Sequence, residues 1–281
     1  MNLSRLKRLL VGRGSPAQRV FLAVARLAQL RFESTLRVDG HNLAARTSDR
    51  ALALILHKVG LVDLAEKRLL SREVKPGMTC LDIGANIGVY TLYLARLVGR
   101  SGRVVAFEPE PENFEMLERN VARNGYAQVE CVRKAVSDRT GAADLGFCEE
   151  NRGDHRLFSR GQGRRAVPVE TTRLDDFFPP GAKVDLIKMD VQGSEVAAME
   201  GMRRVLQDNP RVMVLAEHCP ALTEAAGFSA ASLAEFWRDL GFEAFLVGEG
   251  LRQSPLDDPL SFAEMGRREG YLNVLFRRPA A

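Results

Sequence analysis

Seven residues constrain this chain more than any others: Asp82-Ile83-Gly84-Ala85-Asn86-Ile87-Gly88. Before them lies a short apolar run, 79–83. After them, residues 89–98 repeat apolar side chains at helical spacing and stop at Gly99. Glycines at a strand-to-helix junction let the backbone turn sharply and let a ligand approach the main chain. The helix that follows offers its first N–H groups to a ligand's negative end. Glu108 closes the next strand, 103–107, where an acid can accept both hydroxyls of a ribose. Turn and acid, each at a strand end, predict a parallel α/β sheet holding a nucleoside.

The remaining pattern agrees with such a sheet. After residue 72, strands and helices alternate. A helix over 112–124 is closed by Gly125, and a third strand is expected over 129–136. Two further β-like segments, 143–148 and 166–172, bracket a polar, Gly- and Arg-rich stretch. Buried parallel strands are predicted at 184–189 and 211–216, joined by one helix whose apolar face holds Val196, Met199, Met202, Val205 and Leu206. A last helix near 232–240 leads to strand 243–247. A Pro-containing loop follows, then 271–276, placed to pair antiparallel. The 281 residues carry no internal repeat and read as a basic N-terminal helical extension, 1–54, followed by one domain, 55–281.

The turn reads D-x-G-x-N-x-G rather than the G-x-G-x-x-G of dinucleotide folds. Asp82 would repel a pyrophosphate. S-adenosylmethionine carries no phosphate; it offers an ammonium that a carboxylate can hold, a carboxylate for backbone amides, and a ribose. That ligand fits the charges better than NAD, with an empty turn as the remaining alternative.

Several stretches together resemble the FkbM family of class I methyltransferases. They are Val74-Lys75-Pro76-Gly77 with the glycine-rich turn, Phe107-Glu108-Pro109 with Asn113, Ala135-Val136-Ser137-Asp138, Leu174-Asp175-Asp176-Phe177, and 185–195 with its core Lys188-Met189-Asp190-Val191-Gln192-Gly193. Gln192 stands where the family usually has Glu. The resemblance implies a Rossmann-like fold: a mostly parallel seven-stranded sheet, an antiparallel last strand and helices on both faces. It also implies methyl transfer from S-adenosylmethionine, most often to a hydroxyl oxygen of a small molecule or glycan. The cofactor residues it implies are Asp82, Gly84, Ala85, Asn86, Gly88, Glu108, Pro109, Asn113 and Asp190, with the Ala135-Val136 backbone near the adenine.

Methyl transfer requires an acceptor oxygen held in line and relieved of its proton. Asp190, ending the fourth strand beside the point where ligands bind in open sheets, is the first candidate. Lys188, two residues earlier on the same strand face, would lower a hydroxyl's pKa. Glu217 and His218 end the fifth strand, read here as facing the same crevice. Asp190 with Glu217 is an alternative pair for Mg2+, a hard ion seeking oxygen ligands, with no third ligand legible. His155, in the polar insertion with Arg152 and Arg156, is a further candidate base. His41 and His57 have no partner at metal spacing and read as structural.

Charge narrows the partners. Residues 1–37 hold eight basic side chains and one acid, Glu33, whereas the rest of the chain holds 32 basic and 35 acidic ones. An acidic body with one tryptophan, lacking the N-P-P-[YFW] motif, disfavours a nucleic-acid substrate. A nucleic-acid or protein methyltransferase, or a non-catalytic binding module, stays the alternative. The basic arm reads as an accessory helix, with peripheral membrane contact as its other reading. Cys80, Cys131, Cys148 and Cys219 are widely spaced, which predicts reduced thiols and a cytoplasmic setting.

Overall fold

The computed structural model describes residues 33–46, 64–147, 155–157, 165–248, 251–254 and 258–279. Most of the basic arm, His57, Arg152 and the boundary expected at 54/55 lie outside them.

The central sheet begins with β3 (Thr79–Ile83), β4 (Arg103–Phe107) and β5 (Val129–Val132), all parallel. On the other side of β3 come β9 (Leu186–Met189) and β10 (Met213–His218), also parallel. Beyond β10, the antiparallel β13 (Leu272–Arg277) is inserted before β11 (Glu243–Val247). These seven strands make the expected sheet with its antiparallel last strand. An eighth, β12 (Leu251–Ser254), extends the edge beside β11 and was not anticipated. Chain order reverses between β3 and β9, so the crevice outside their carboxyl ends is the topological switch point.

Both faces are covered, because each strand alternates its side chains between two apolar layers. On one face, Cys80, Val104, Leu186 and Leu215 meet α1 (Leu64–Glu73) and α2 (Val89–Val98). On the other, Leu81, Val105, Ile187 and Val214 meet α5 (Glu195–Glu200), α6 (Arg203–Asp208), α8 (Ser232–Asp239) and α9 (Pro259–Glu269). Among the described residues, no helix is long and apolar enough to cross a membrane.

Three expected elements take a different form. The strand predicted over 129–136 divides at Arg133-Lys134: β5 stays in the main sheet, while β6 (Ala135–Val136) joins β7 (Gly141–Phe147) and β8 (Arg165–Thr172) in a separate three-stranded sheet. The single helix expected after β9 is two, α5 and α6, broken at Gly201. There the backbone passes so close to Ser137 that a Cβ would lie 1.9 Å from its carbonyl oxygen. Residues 33–46, read as part of a helical extension, form the hairpin β1 (Glu33–Val38) and β2 (His41–Arg46), closed by Asp39-Gly40 with both φ positive. Asp-Gly between extended runs is a hairpin turn signal that the helical reading passed over.

Trp237 of α8 anchors the second layer, fully buried, stacked on Phe276 at 4.7 Å and edge-on to Phe242. Trp237→Ala should lower stability by about 3–5 kcal/mol. Denaturant titration should show a lower midpoint at unchanged slope.

Candidate active site

The glycine-rich turn is held from three sides. Gly84 and Ala85 both donate their N–H to the Phe107 carbonyl at 3.0 Å, and Asn86 donates its N–H to Glu108 Oε2 at 2.8 Å. Gly84 has φ 81°, and a Cβ there would lie 2.0 Å from the Asp190 carbonyl oxygen. Gly88 has φ 93°, with Leu117 2.8 Å from where a Cβ would sit. Both positions use glycine's dihedral freedom, and at Gly84 the Asp190 backbone also excludes any side chain.

Glu108 is buried at the end of β4. Its Oε1 accepts from the Glu110 N–H at 3.0 Å while Oε2 takes Asn86. A carboxylate offers about four lone-pair sites; with these two N–H groups and the Asn113 side chain bound, one remains for a hydroxyl of a ribose. Asn113, on α3 (Pro111–Arg123), bonds to Glu108 and donates its backbone N–H to Glu110 Oε2 at 2.7 Å. It therefore supports the acid from behind. Burial pushes the Glu108 carboxyl up to about 7, against the opposing pull of its N–H donors.

On the α1–α2 face of the sheet, the carboxyl ends of β9 and β10 carry the charged part of the site. Lys188, 4% exposed, lies opposite Asp82 in the β3–β9 register. Its Nζ is 3.7 Å from Asp190 Oδ2 and 4.7 Å from the centre of the Tyr90 ring. Burial alone would lower this lysine, but Asp190, then Glu66, Asp82 and Glu217, outweigh it and hold the ammonium above its ordinary range. Lys188 is thus a fixed cation and no proton acceptor. Asp82 accepts from Thr91 Oγ1 at 2.6 Å, and Asp190 accepts from the Gln192 side-chain amide at 2.6 Å.

Gln192 has φ 50° and opens the turn before α5. There Gly193 donates to Glu195 Oε1 at 3.0 Å and packs against Leu222, which a Cβ would meet at 2.8 Å. Burial raises the Glu195 carboxyl to about 7.

Two members of this group were missed in the sequence. Glu66 of α1 and Tyr90 of α2 are each 5% exposed, and the Tyr90 hydroxyl donates to Glu66 Oε2. Glu66 shares a helix stripe with Leu69 and Leu70, both buried. A carboxylate on an apolar stripe was the available signal.

His218 is a correction. Adjacent residues of a strand face opposite sides, so His218 points away from Glu217 into the other layer. It is fully buried and stacked on Phe262 at 5.8 Å, and burial pulls its imidazole down to about 4. His155 flanks the bridge between Arg156 and Gly146 at the edge of the small sheet, and is not among the groups that set the charge of Lys188. Ala135 and Val136 lie buried just past the end of β5, and Pro109 is half-buried after Glu108. His41, read as structural, bonds the Tyr126 hydroxyl at 2.7 Å. Among the described residues no group of three His, Cys, Asp or Glu converges to hold a metal ion. Lys188 is the cation beside Asp190, at 3.7 Å, and the expected Asp190–Glu217 pair finds no third ligand for Mg2+ among the described residues.

An open sheet in this order, with a glycine turn and an acid at the carboxyl ends of its first two strands, defines a Rossmann-like fold of the methyltransferase type. Residues 82–244 match the methyltransferase FkbM domain, and the chain belongs to the FkbM methyltransferase family. It is similar to methyltransferase sdnD of Sordaria araneosa, 29% identical over 154 residues, covering 43% of this chain and 59% of that one. It is also similar to the hexuronic acid methyltransferase AglP of Haloferax volcanii, 29% identical over 152 residues, covering 52% and 59%. The chain thus spans under two thirds of the length of these relatives. Among solved structures, it is similar to the methyltransferase FkbM of Methylobacillus flagellatus KT, with 16% identity and a TM-score of 0.44, covering 71% and 43%.

A ribose hydroxyl donating to Glu108 would favour its ionised form. Binding of the nucleoside should therefore release a proton near pH 7 and weaken as pH falls below it. Calorimetry of S-adenosylhomocysteine in buffers of different ionisation enthalpy checks this. Equal heats in all buffers would remove Glu108 from the ribose contact.

Proposed function

We propose that the chain transfers a methyl group from S-adenosylmethionine to a hydroxyl of a small molecule or glycan. The observation that carries this is the buried Lys188–Asp190 ion pair at 3.7 Å, at the switch point beside the glycine turn. The cofactor fits the residues present. Gly84 and Gly88 leave room for close approach, Glu108 retains an acceptor site for a ribose hydroxyl, and the excess of acid suits an ammonium and a sulfonium. When bound, S-adenosylmethionine supplies an electrophilic methyl group.

The chain's own groups supply the rest. Asp190, whose side chain is 18% exposed, takes the acceptor hydroxyl's proton as its oxygen forms the bond to carbon and the carbon–sulfur pair leaves with sulfur. Lys188, at 3.7 Å, holds Asp190 in place beside the switch point. Glu217, half-buried at the end of β10, is the second candidate for this proton.

The same charges favour one product. Carboxylates lining the cleft repel an anionic acceptor and accept a neutral hydroxyl. A sugar acid of the kind named for the Haloferax relative would therefore be methylated here on a hydroxyl rather than on its carboxylate. Incubating labelled cofactor and the enzyme with a cell extract should yield a labelled ether that survives mild alkali; a label lost to alkali would mean ester formation and overturn the hydroxyl reading.

Asp190→Asn keeps shape and most hydrogen bonding but removes the charge. Turnover should fall by about 10²-fold or more, as removal of a general base does. Affinity for S-adenosylhomocysteine should change little. A variant that turns over normally would transfer the role to Glu217.

A further inference from the structure

The hairpin β1–β2 is tied to the domain in an unusual way. The β2 edge turned away from β1 would leave the N–H and C=O groups of Asn42 and Ala44 unpaired. Two asparagines of α3 meet them instead. Asn124 accepts from Asn42 N–H at 2.9 Å and donates to its carbonyl at 3.0 Å. Asn120 does the same for Ala44, at 2.7 and 3.1 Å. The match is geometric: residues four apart on a helix rise ~6 Å, close to the ~6.7 Å between alternate residues of a strand. The side chains of one helix thus stand in for a neighbouring strand.

The two asparagines differ in one respect. Asn120, fully buried, also donates from Nδ2 to the Ile87 carbonyl at 2.8 Å, inside the glycine-rich turn. Asn124 donates instead to the Asn120 carbonyl of its own helix. The apolar contacts follow the same line: Leu43, Ala44 and Ala45 of β2 pack in one cluster with Ala85 and Ile87 of the turn. Further anchors clasp the hairpin's own turn, with Asp39 paired to Lys67 of α1 at 2.6 Å and its carbonyl accepting from Arg96 of α2.

We infer that Asn120 is the positioning residue of the cofactor turn, and that the β1–β2 hairpin is part of the cofactor site. Through Asn120 the hairpin fixes the Ile87 carbonyl, and with it the neighbouring Asn86 N–H that engages Glu108. The inference rests on the cofactor reading above. The hairpin lies within residues 1–54, expected above to be an extension ahead of the domain.

The test compares the two asparagines in the full chain. Asn120→Asp keeps the size and the acceptor for Ala44 but turns a carboxylate towards two carbonyl oxygens; Asn124→Ala releases the hairpin edge without reaching the turn. At a temperature well below each unfolding midpoint, Asn120→Asp should weaken S-adenosylhomocysteine binding about tenfold or more, and Asn124→Ala by less than about twofold. In the wild-type protein, saturating S-adenosylhomocysteine should slow amide exchange at Ala44 and leave Asn42 unaffected, since coupling between sites is reciprocal. Equal effects of the two variants, unchanged affinity in Asn120→Asp, or an Ala44 amide indifferent to ligand would overturn the inference. If Asn120→Asp does not fold, the wild-type exchange decides. Should the wild-type protein bind no S-adenosylhomocysteine, the cofactor reading fails on its own. The tether is then read from the Gly88 amide, bonded to the Ala85 carbonyl, which should exchange faster in Asn120→Asp if the tether holds the turn.

Discussion

Lys188 brings one positive charge to 3.7 Å from Asp190 and into the field of Glu66, Asp82 and Glu217. Buried carboxylates without a cation would repel one another or take up protons, because desolvation and like charge act in the same direction. Withdrawing one partner from a buried charge pair costs ~3–5 kcal/mol, as the charge left behind is uncompensated. The lysine therefore lets β3, β9, β10 and α1 bring acidic side chains together. Its ammonium lies over the Tyr90 ring, whose hydroxyl is held by Glu66, so the cation is fixed by a π face as well as by charge. A cleft built this way is rich in acid and already furnished with its own cation.

The parallel strands and the turn were legible because their signals are local. The run 79–83 with Gly84 and Gly88 specifies a buried strand and a tight turn, and Glu108 follows at a strand end. What escaped was set by distant contacts. Gly201 looks like any helical glycine until Ser137 is seen against it. The split at Arg133-Lys134 depends on β8 offering β6 a partner. Helix α9 was passed over as loop, although Asp258 caps it by accepting from Ser261 N–H and Pro259 occupies its first turn, a start signal written in the sequence.

The site divides along the same line. Asp82, Lys188, Asp190 and Glu217 sit at strand ends and were found there. Glu66 and Tyr90 come from helices, where a polar residue on an apolar stripe is read as a neutral exception until its partner is known. His218 shows the converse error: proximity to Glu217 in sequence is opposition in space, since a strand sends neighbours to opposite layers. Gln192 is the most informative departure from the family pattern. Its amide donates to Asp190, whereas a glutamate in its place would set a second carboxylate against the first. The carboxylate nearest Lys188 is here supported by a neutral donor, which favours its ionised state.

The two halves of the cleft thus use opposite electrostatic devices. Asp190 is stabilised by a cation and an amide, and stays 18% exposed, open to an acceptor. Glu108 is sealed among backbone donors with no cation beside it, and burial raises it to about 7. A carboxyl poised at neutrality gains most from donors that arrive with a ligand, because they supply the stabilisation that burial removed. A carboxylate that a cation already stabilises gains least from such donors. The proposed division, with binding at one strand end and chemistry at another, rests on this contrast between the two acids. The hairpin belongs to the Glu108 half, since Asn120 reaches the turn whose Asn86 N–H is one of the donors holding Glu108.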